Sequence, residues 1–526
     1  MSIVTNNFFR FFSLVIFLLA LIGIYLNYSF IPVADSWSNY ELYELIENKN
    51  YLSFFSLHNE HRIVPSKLLF WVDMKLFNGT EIFLLYIHII FTLILVKIFH
   101  SIANYQNHLT ADQSSLYAYF ILAMAFFWCQ KANFTWAFQS QFFIVILFSI
   151  LSFYALSRKW GLIPTSIFTI LASISMGNGL LVPILMTIYY FLNKNIPKTV
   201  FYLALTLLIC LFYFQNYQGN QSYLSPYESL LTHPLKVVGL TFIYLGNIFS
   251  FIVGKGNIGA FTAGLFGAFS VFLILKNFKR YHQNPFYYFL LFIAGTAFLT
   301  ALGRQQDGYL HPISSRYTTP VIYYWIMLAI IFLPQMKDIY IMHKKKINYV
   351  LVFIFFSFFI NQFKVFRDPL ESIQKRYVDL SVVLNNHGNI LPHFTFETAN
   401  SEHIKDKFVL SNVFIQKSII PKFDLPITEC LFELSSFGAK KGKNNQYQYV
   451  SVELKDHNKA DNIYIYSNDQ PFGLISFSPS FTKKWDFLHK QNFLMGYGYT
   501  LPSLPNDITL IDTVNDCYKR YNLNNE

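Results

Sequence analysis

Residues 235–254 read LKVVGLTFIYLGNIFSFIVG, and whether they cross a membrane decides how the whole chain is threaded. They are long and apolar enough to do so, since about 20 apolar residues span a bilayer. Four basic stretches argue the other way: SRK at 157–159, NKNIPK at 193–198, KNFKR at 276–280 and HKKK at 343–346. Lys and Arg in short loops mark the inner side of a membrane protein. With the N-terminus inside, all four lie inside only if 235–254 does not cross. The stretch therefore reads as an interfacial or re-entrant helix on the outer side, packed into protein where irregular backbone is tolerated. The SMGNGL break at 175–180 becomes a tight outer turn, because basic residues flank both ends of 158–198.

Around that decision, spanning helices fall near 11–30, 81–101, 114–130, 137–157, 161–176, 179–193, 199–215, 258–275, 285–303, 317–334 and 348–363, about eleven in all. Composition agrees. The 526 residues are 54% hydrophobic and 19% aromatic but only 13% charged, where soluble domains carry about a quarter. The expected fold class is an all-α polytopic membrane bundle. The formal net charge of +11 belongs largely to the basic loops, and no RNA- or DNA-binding motif accompanies it, so nucleic acid is not an expected partner. The first apolar run, FFSLVIFLLALIGIYLNYSF at 11–30, has no small-residue cleavage site after it and reads as a retained helix.

From about 366 to 526 charged residues return and long apolar runs stop. YQYVSVELKD at 447–456 and NIYIYS at 462–467 alternate as strands do. The expected organisation is a transmembrane domain over 1–365, with a long first outer loop at 31–80, then a C-terminal α+β or β-rich domain over 366–526. An odd number of crossings places that domain outside, in the periplasm of a bacterial inner-membrane protein. There Cys430 and Cys517 could pair or stay apart; Cys129 and Cys210 lie in apolar runs. No internal repeat points to a two-fold transporter.

Polar residues collect on the expected outer face. The first loop opens with PVADSW, which sets Asp35 just after the first helix, and LHNEHRI at 57–63 follows with His58, Glu60, His61 and Arg62. Next comes the amphipathic VPSKLLFWVDMKLF, whose aromatic and cationic residues suit the interface and its membrane lipids. Other outer ends supply Gln130, Lys131 and Asn133, then Gln139 and Gln141, Asn178, and the group Arg304, Asp307, His311, Arg316 and Tyr317. Each has a structural reading as well. Asp35 could be a solvated helix-flanking acid, Glu60 and Arg62 a loop ion pair, and the arginines lipid anchors. The glutamines could join helices. His58 and His61 could share a metal if helical, yet no third ligand lies nearby in sequence, so hydrogen bonding is their default role. The coincidence of all of these on one face favours an outward polar cavity with acids near the membrane and arginines opposite.

VADSW at 33–37 and HNEHRIVPSKLLFWVDMKLFNG at 58–79 resemble the first-loop motifs of the GT-C class of integral membrane glycosyltransferases, in their uncharacterised bacterial branch. The resemblance covers about residues 1–365, and it departs in one respect: many members have two adjacent acids where this chain has Asp35 alone. It implies a GT-C-like bundle using a polyprenyl-phosphate sugar donor and a glycan or lipid acceptor, with inversion at the anomeric carbon. Asp35 or Glu60 would be the catalytic base. Arg304, Arg316 and Lys131 would meet the donor phosphate. His58, His61, Arg62, Gln139, Asn178 and Tyr317 would line the substrate. No cofactor is assigned, and a divalent cation, magnesium or manganese, is compatible. The alternatives are an O-antigen-type polymerase, which typically carries its large outer loop late in the bundle, and a lipid-linked glycan flippase, which calls for paired broken helices.

Overall fold

The computed structural model describes residues 3–29, 31–217, 224–254, 256–332, 334, 353, 356–366, 428–441, 448–455, 462–467, 470–476, 493–501, 505–512 and 517–523. The HKKK stretch and the first part of the expected 348–363 span lie outside the described residues. The chain forms two units. One comprises 1–25, 50–70 and 84–365, the other 26–49, 71–83 and 366–526. The expected boundary at 365 thus misses two pieces of the first loop, which belong with the strands.

Among the described residues, six helices are long and apolar enough to cross a membrane: Phe9–Leu26, Ile82–Asn107, Ala137–Ser157, Ile196–Tyr213, Asn257–Tyr281 and Pro285–Asp307. These helices fit a multi-pass membrane protein, and the expected count of about eleven is not confirmed among the described residues. The expected spans near 161–176 and 179–193 are helices of 12 residues each, Leu162–Ser173 and Leu181–Leu192. At 1.5 Å per residue, 12 residues reach about 18 Å, well short of the ~30 Å hydrocarbon core. Those near 114–130 and 317–334 are Ala111–Ala125 and Thr318–Phe332, of 15 residues each. Apolar composition shows how far a greasy run extends but not where its backbone breaks. Ala137–Ser157 and Pro285–Asp307 are mostly buried in protein, whereas Ile196–Tyr213 leaves Leu203, Leu207, Leu208 and Leu211 exposed, as lipid contact requires.

The basic loops meet at one end of the first unit. Arg158 lies 4.4 Å over the Tyr105 ring, Asn284 Nδ2 donates to Gln106 Oε1 at 2.9 Å, and Tyr189 packs edge-on against Tyr288. The opposite end joins the first loop to the later ones. There Val64 N–H donates to Ile174 O at 2.9 Å, and Asn133 Nδ2 donates to Arg316 O at 2.8 Å.

The stretch 235–254 forms two helices, Pro234–Leu245 and Asn247–Val253, bent by 66°. Its start lies beside the Arg304 end of the Pro285–Arg304 helix, where Val237 and Leu240 cluster with Ala301 and Leu302. The bend goes deeper: Trp325 Nε1 donates to Leu245 O at 2.8 Å, and Phe249 stacks on Phe266 at 3.9 Å. The exit feeds Asn257–Tyr281, whose Ala260 and Ala263 cluster with Ile313 of the same loop end. The segment therefore enters and leaves at one end. Two glycines allow its close approach, since a Cβ on Gly246 would sit 1.9 Å from Ala263 O, and one on Gly267 1.8 Å from Phe242 O.

The second unit carries an eight-stranded sheet. Its strands are β1 (Thr428–Glu429), β2 (Glu433–Lys441), β3 (Gln448–Lys455), β4 (Asn462–Ser467), β5 (Gln470–Ser476), β6 (Phe493–Thr500), β7 (Asp507–Asp512) and β8 (Cys517–Asn522), in the spatial order β1-β8-β7-β4-β5-β6-β3-β2. All pairs are antiparallel except β1 with β8. The alternation read from sequence is the burial pattern, with Val450, Val452 and Leu454 turned into the core. Ile31, Trp37 and Tyr40 of the first loop complete that core. A disulfide joins Cys430 to Cys517 across β1 and β8, with Cα atoms 5.0 Å apart.

Candidate functional site

LHNEHRI folds as a tight turn rather than a helix. His58 N–H donates to His61 O at 2.8 Å and His61 N–H to His58 O at 2.9 Å, with Asn59 in the left-handed region at φ +50°. Asn is among the residues that tolerate this conformation. Glu60 sits in the same turn. Arg62, 6% exposed, fastens the loop to the end of the Ile196–Tyr213 helix. Its Nε donates to Tyr213 O at 2.8 Å, Nη2 to Gln215 O at 2.5 Å and Nη1 to Phe55 O. Lys67 holds the other flank, donating to Ser53 O at 3.0 Å and Ser56 O at 2.8 Å. Nε, Nη1 and Nη2 of Arg62 thus each donate to a backbone carbonyl, and the guanidinium forms no ion pair with Glu60.

The two histidines have distinct surroundings. His58 packs on Phe138 with centroids 4.7 Å apart, and burial, helped by Lys67 and His61, lowers its pKa to about 4. His61 abuts the turn at 175–180, where a Cβ on Gly177 would come within 2.9 Å of its Nδ1. Burial lowers the His61 pKa against the pull of Glu60, and Arg304 reinforces the shift. Burial thus disfavours the protonated form of both rings.

Across the same end, the loop after Arg304 builds a chain of polar contacts that residue spacing did not assign. Asp307 Oδ2 lies 3.3 Å from His311 Nδ1, and His311 Nε2 lies 2.8 Å from Tyr317 Oη and 3.3 Å from Arg316 Nη2. A guanidinium can only donate, so Nε2 must accept and the proton sits on Nδ1, directed to Asp307. That tautomer agrees with a His311 pKa lowered to about 4 by burial and then by Arg316, with Asp307 opposing. Burial pushes the Tyr317 hydroxyl up, against Arg316 and Arg304. Asn133 fixes the Arg316 backbone and donates to Thr319 Oγ1 at 2.6 Å, which in turn donates to Gln130 Oε1 at 2.6 Å. The charge of Arg304 acts on His61, His311 and Tyr317, so the two loops share one electrostatic environment.

Several buried polar atoms at this end lack a hydrogen-bond partner among the described residues, including His58 Nε2, His61 Nδ1, Asn133 Oδ1, Gln139 Oε1, Gln141 Oε1, Asn178 Oδ1 and Arg316 Nε. An orphaned buried polar atom costs about 1–3 kcal/mol unless a bound molecule or solvent pairs with it. Asn178 is held through Nδ2, which donates to Thr296 Oγ1 at 3.1 Å. Lys131 is half-buried at the start of the short helix Lys131–Thr135. Asp35 belongs to the other unit, half-buried on the turn Ala34–Trp37, where its carbonyl accepts from Ser38 Oγ at 2.7 Å. That unit also holds a carboxyl the sequence did not single out. Asp73 is 2% exposed and accepts from Glu81 N–H at 3.1 Å, and burial and the neighbouring Glu81 carboxylate raise its pKa to about 7. Among the described residues no three His, Cys, Asp or Glu side chains gather as metal ligands. Comparison with protein families, curated proteins and solved structures returns no match.

Proposed function

We propose that the protein is a bacterial inner-membrane glycosyltransferase that moves a sugar from a polyprenyl-phosphate donor to a glycan or lipid acceptor on the periplasmic side. One observation carries this reading. Glu60, the imidazoles, Arg304 and Arg316 gather at the end of the helical unit away from the basic loops, among buried polar atoms that await a polar guest. The positive-inside rule puts that end outside. The Cys430–Cys517 disulfide suits a sheet exposed to an oxidising compartment.

In this scheme the donor's polyprenyl tail stays in the bilayer and its phosphate meets Arg316 and Arg304, with Lys131 adding charge nearby. The acceptor hydroxyl gives its proton to the Glu60 carboxylate as its oxygen bonds the anomeric carbon. The bond from that carbon to the phosphate oxygen breaks, and its electron pair leaves on the phosphate, which the arginines stabilise. The resemblance points to Asp35 as base, whereas the surroundings of Glu60 point to Glu60, and we assign the proton there.

Transfer from a polyprenyl-phosphate sugar by the full chain in reconstituted membranes tests the assignment. Glu60→Gln should lower the rate about 10²–10⁴-fold, the usual worth of a general base, while Asp35→Asn keeps most of it. A wild-type rate for Glu60→Gln removes the mechanism. Movement of the labelled donor across vesicles without transfer would replace the enzyme by a transporter, and chelator-sensitive transfer restored by magnesium or manganese would add a cation at the phosphate.

A further inference from the structure

The end of the helical unit where the basic loops meet holds a second polar site. A cavity of about 460 Å³, open to the surface, is lined by Lys97, His100, Ser101, Asn104, Tyr105 and Arg158. No carboxylate lines it. Arg158 is held in place: its guanidinium lies 4.4 Å over the Tyr105 ring, its Nε donates to Tyr154 Oη at 3.3 Å, and that hydroxyl is 2.9 Å from Ser101 Oγ. His100 Nε2 is fixed 3.0 Å from Ser114 O, and Asn104 Oδ1 is buried without a partner among the described residues. An arginine that only anchors a helix end reaches freely into headgroups and needs no such frame.

The helix carrying this cavity also presents an apolar track leading to it. Tyr86, Ile90, Leu93 and Ile94 are 60, 47, 40 and 39% exposed, and with Lys97 they recur at helical spacing on one face of Ile82–Asn107. From Tyr86 to Lys97 the track runs about 16 Å at 1.5 Å per residue, which is half of a ~30 Å hydrocarbon core and so one leaflet. Trp160, 49% exposed and edge-on to Tyr154 at 5.5 Å, is an aromatic of the kind that marks the headgroup level. We propose that this cavity binds the phosphate headgroup of an anionic membrane lipid, whose acyl chain lies along the Tyr86–Ile94 track. The site is separate from the proposed transfer site and does not depend on it. The two lie at opposite ends of the Pro285–Arg304 helix, with Asn284 bonded to Gln106 at one end and Arg304 at the other.

Native mass spectrometry of the full chain, released from nanodiscs of phosphatidylcholine with graded phosphatidylglycerol, reads the bound lipid directly. The double variant Lys97→Gln/Arg158→Gln should need about thirtyfold more phosphatidylglycerol for the same occupancy, as the loss of two cations at the membrane surface implies. Lys159→Gln/Lys194→Gln removes the same charge outside the cavity and should leave occupancy unchanged. Equal loss in both variants would reduce the site to general surface charge and overturn the proposal. Competition by inorganic phosphate at the same concentration as the lipid would overturn the lipid assignment in favour of a free anion. Should the double variant fail to fold, Lys97→Gln alone, at an exposed position, carries the test, and unchanged occupancy there overturns the proposal.

Discussion

The loops at 53–67 and 304–317 each set a guanidinium near an imidazole at the same end of the helical unit, yet their donors go to different partners. Arg62 gives its donors to the carbonyls of Phe55, Tyr213 and Gln215 and stacks 5.1 Å over Phe212. Arg316 touches His311 and the Tyr317 ring through side chains and keeps a buried Nε without a partner among the described residues. The first arrangement closes a loop. The second leaves a directed cation available to a guest. The difference teaches that an arginine on the right face is a site candidate only once its donors have been followed.

The largest effect that can break this comparison is on folding. Arg62→Ala would strand the buried Tyr213 carbonyl and remove two part-buried contacts to Phe55 O and Gln215 O, and at about 1.5–3 kcal/mol for a buried charge-assisted bond, with less from the two part-buried ones, the loss is a few kcal/mol. We expect Arg62→Ala to unfold well below wild type in detergent, while Arg316→Ala keeps a near-native midpoint. Equal destabilisation by both would erase the distinction.

Transfer sharpens it in the other direction. Arg316→Lys keeps the charge but loses the forked donor, and should reduce transfer from the polyprenyl-phosphate sugar about 10–100-fold, the kinetic equivalent of one charged hydrogen bond. Arg316→Ala should nearly abolish it. If lysine substitutes freely at both Arg304 and Arg316, these residues are lipid anchors.

The sequence made this end of the molecule legible in part. Positive loops at 157–159, 193–198 and 276–280 separated the two ends, and simple residence in the other loops was enough to bring Glu60, His61, Arg304, Arg316 and Tyr317 into one list. What could not be read was which side chains were already engaged. The partners of Arg62 are backbone carbonyls, two of them some 150 positions away, and a carbonyl has no sequence signature. Asp307 and His311 are four apart, but their contact closes across a non-helical loop, where helical spacing offers no guide. Trp37 and Tyr40 look interfacial beside an apolar helix, and only long-range packing on Val450, Val452 and Leu454 gives them to the sheet. Helix lengths were not legible either, because an apolar run reads the same whether or not a turn interrupts it.

The smallest expected effect concerns pH and tests the two histidines that flank the two cations. His58 beside Lys67 and His311 beside Arg316 both have pKa values lowered from 6.5 to about 4. The unfolded chain therefore takes up protons first as pH falls below 6.5, so the stability these groups contribute is present above 6.5 and is lost as pH drops towards 4. Asp73 acts with the opposite sign. Its pKa is raised from 3.8 to about 7, so its contribution is present below 3.8 and is lost as pH rises through 7. Comparing each variant with wild type removes the Asp73 contribution. His58→Gln and His311→Gln should each recover about 1 kcal/mol of the stability that wild type loses between pH 7 and 5, after allowance for partial exposure. Transfer should separate them. His311→Gln, next to Arg316, should change the acid limb of the rate profile, whereas His58→Gln should leave that limb in place. A matching change in both profiles would mean that the 53–67 loop also meets the substrate, and the contrast between the two arginines would then describe two walls of a single site.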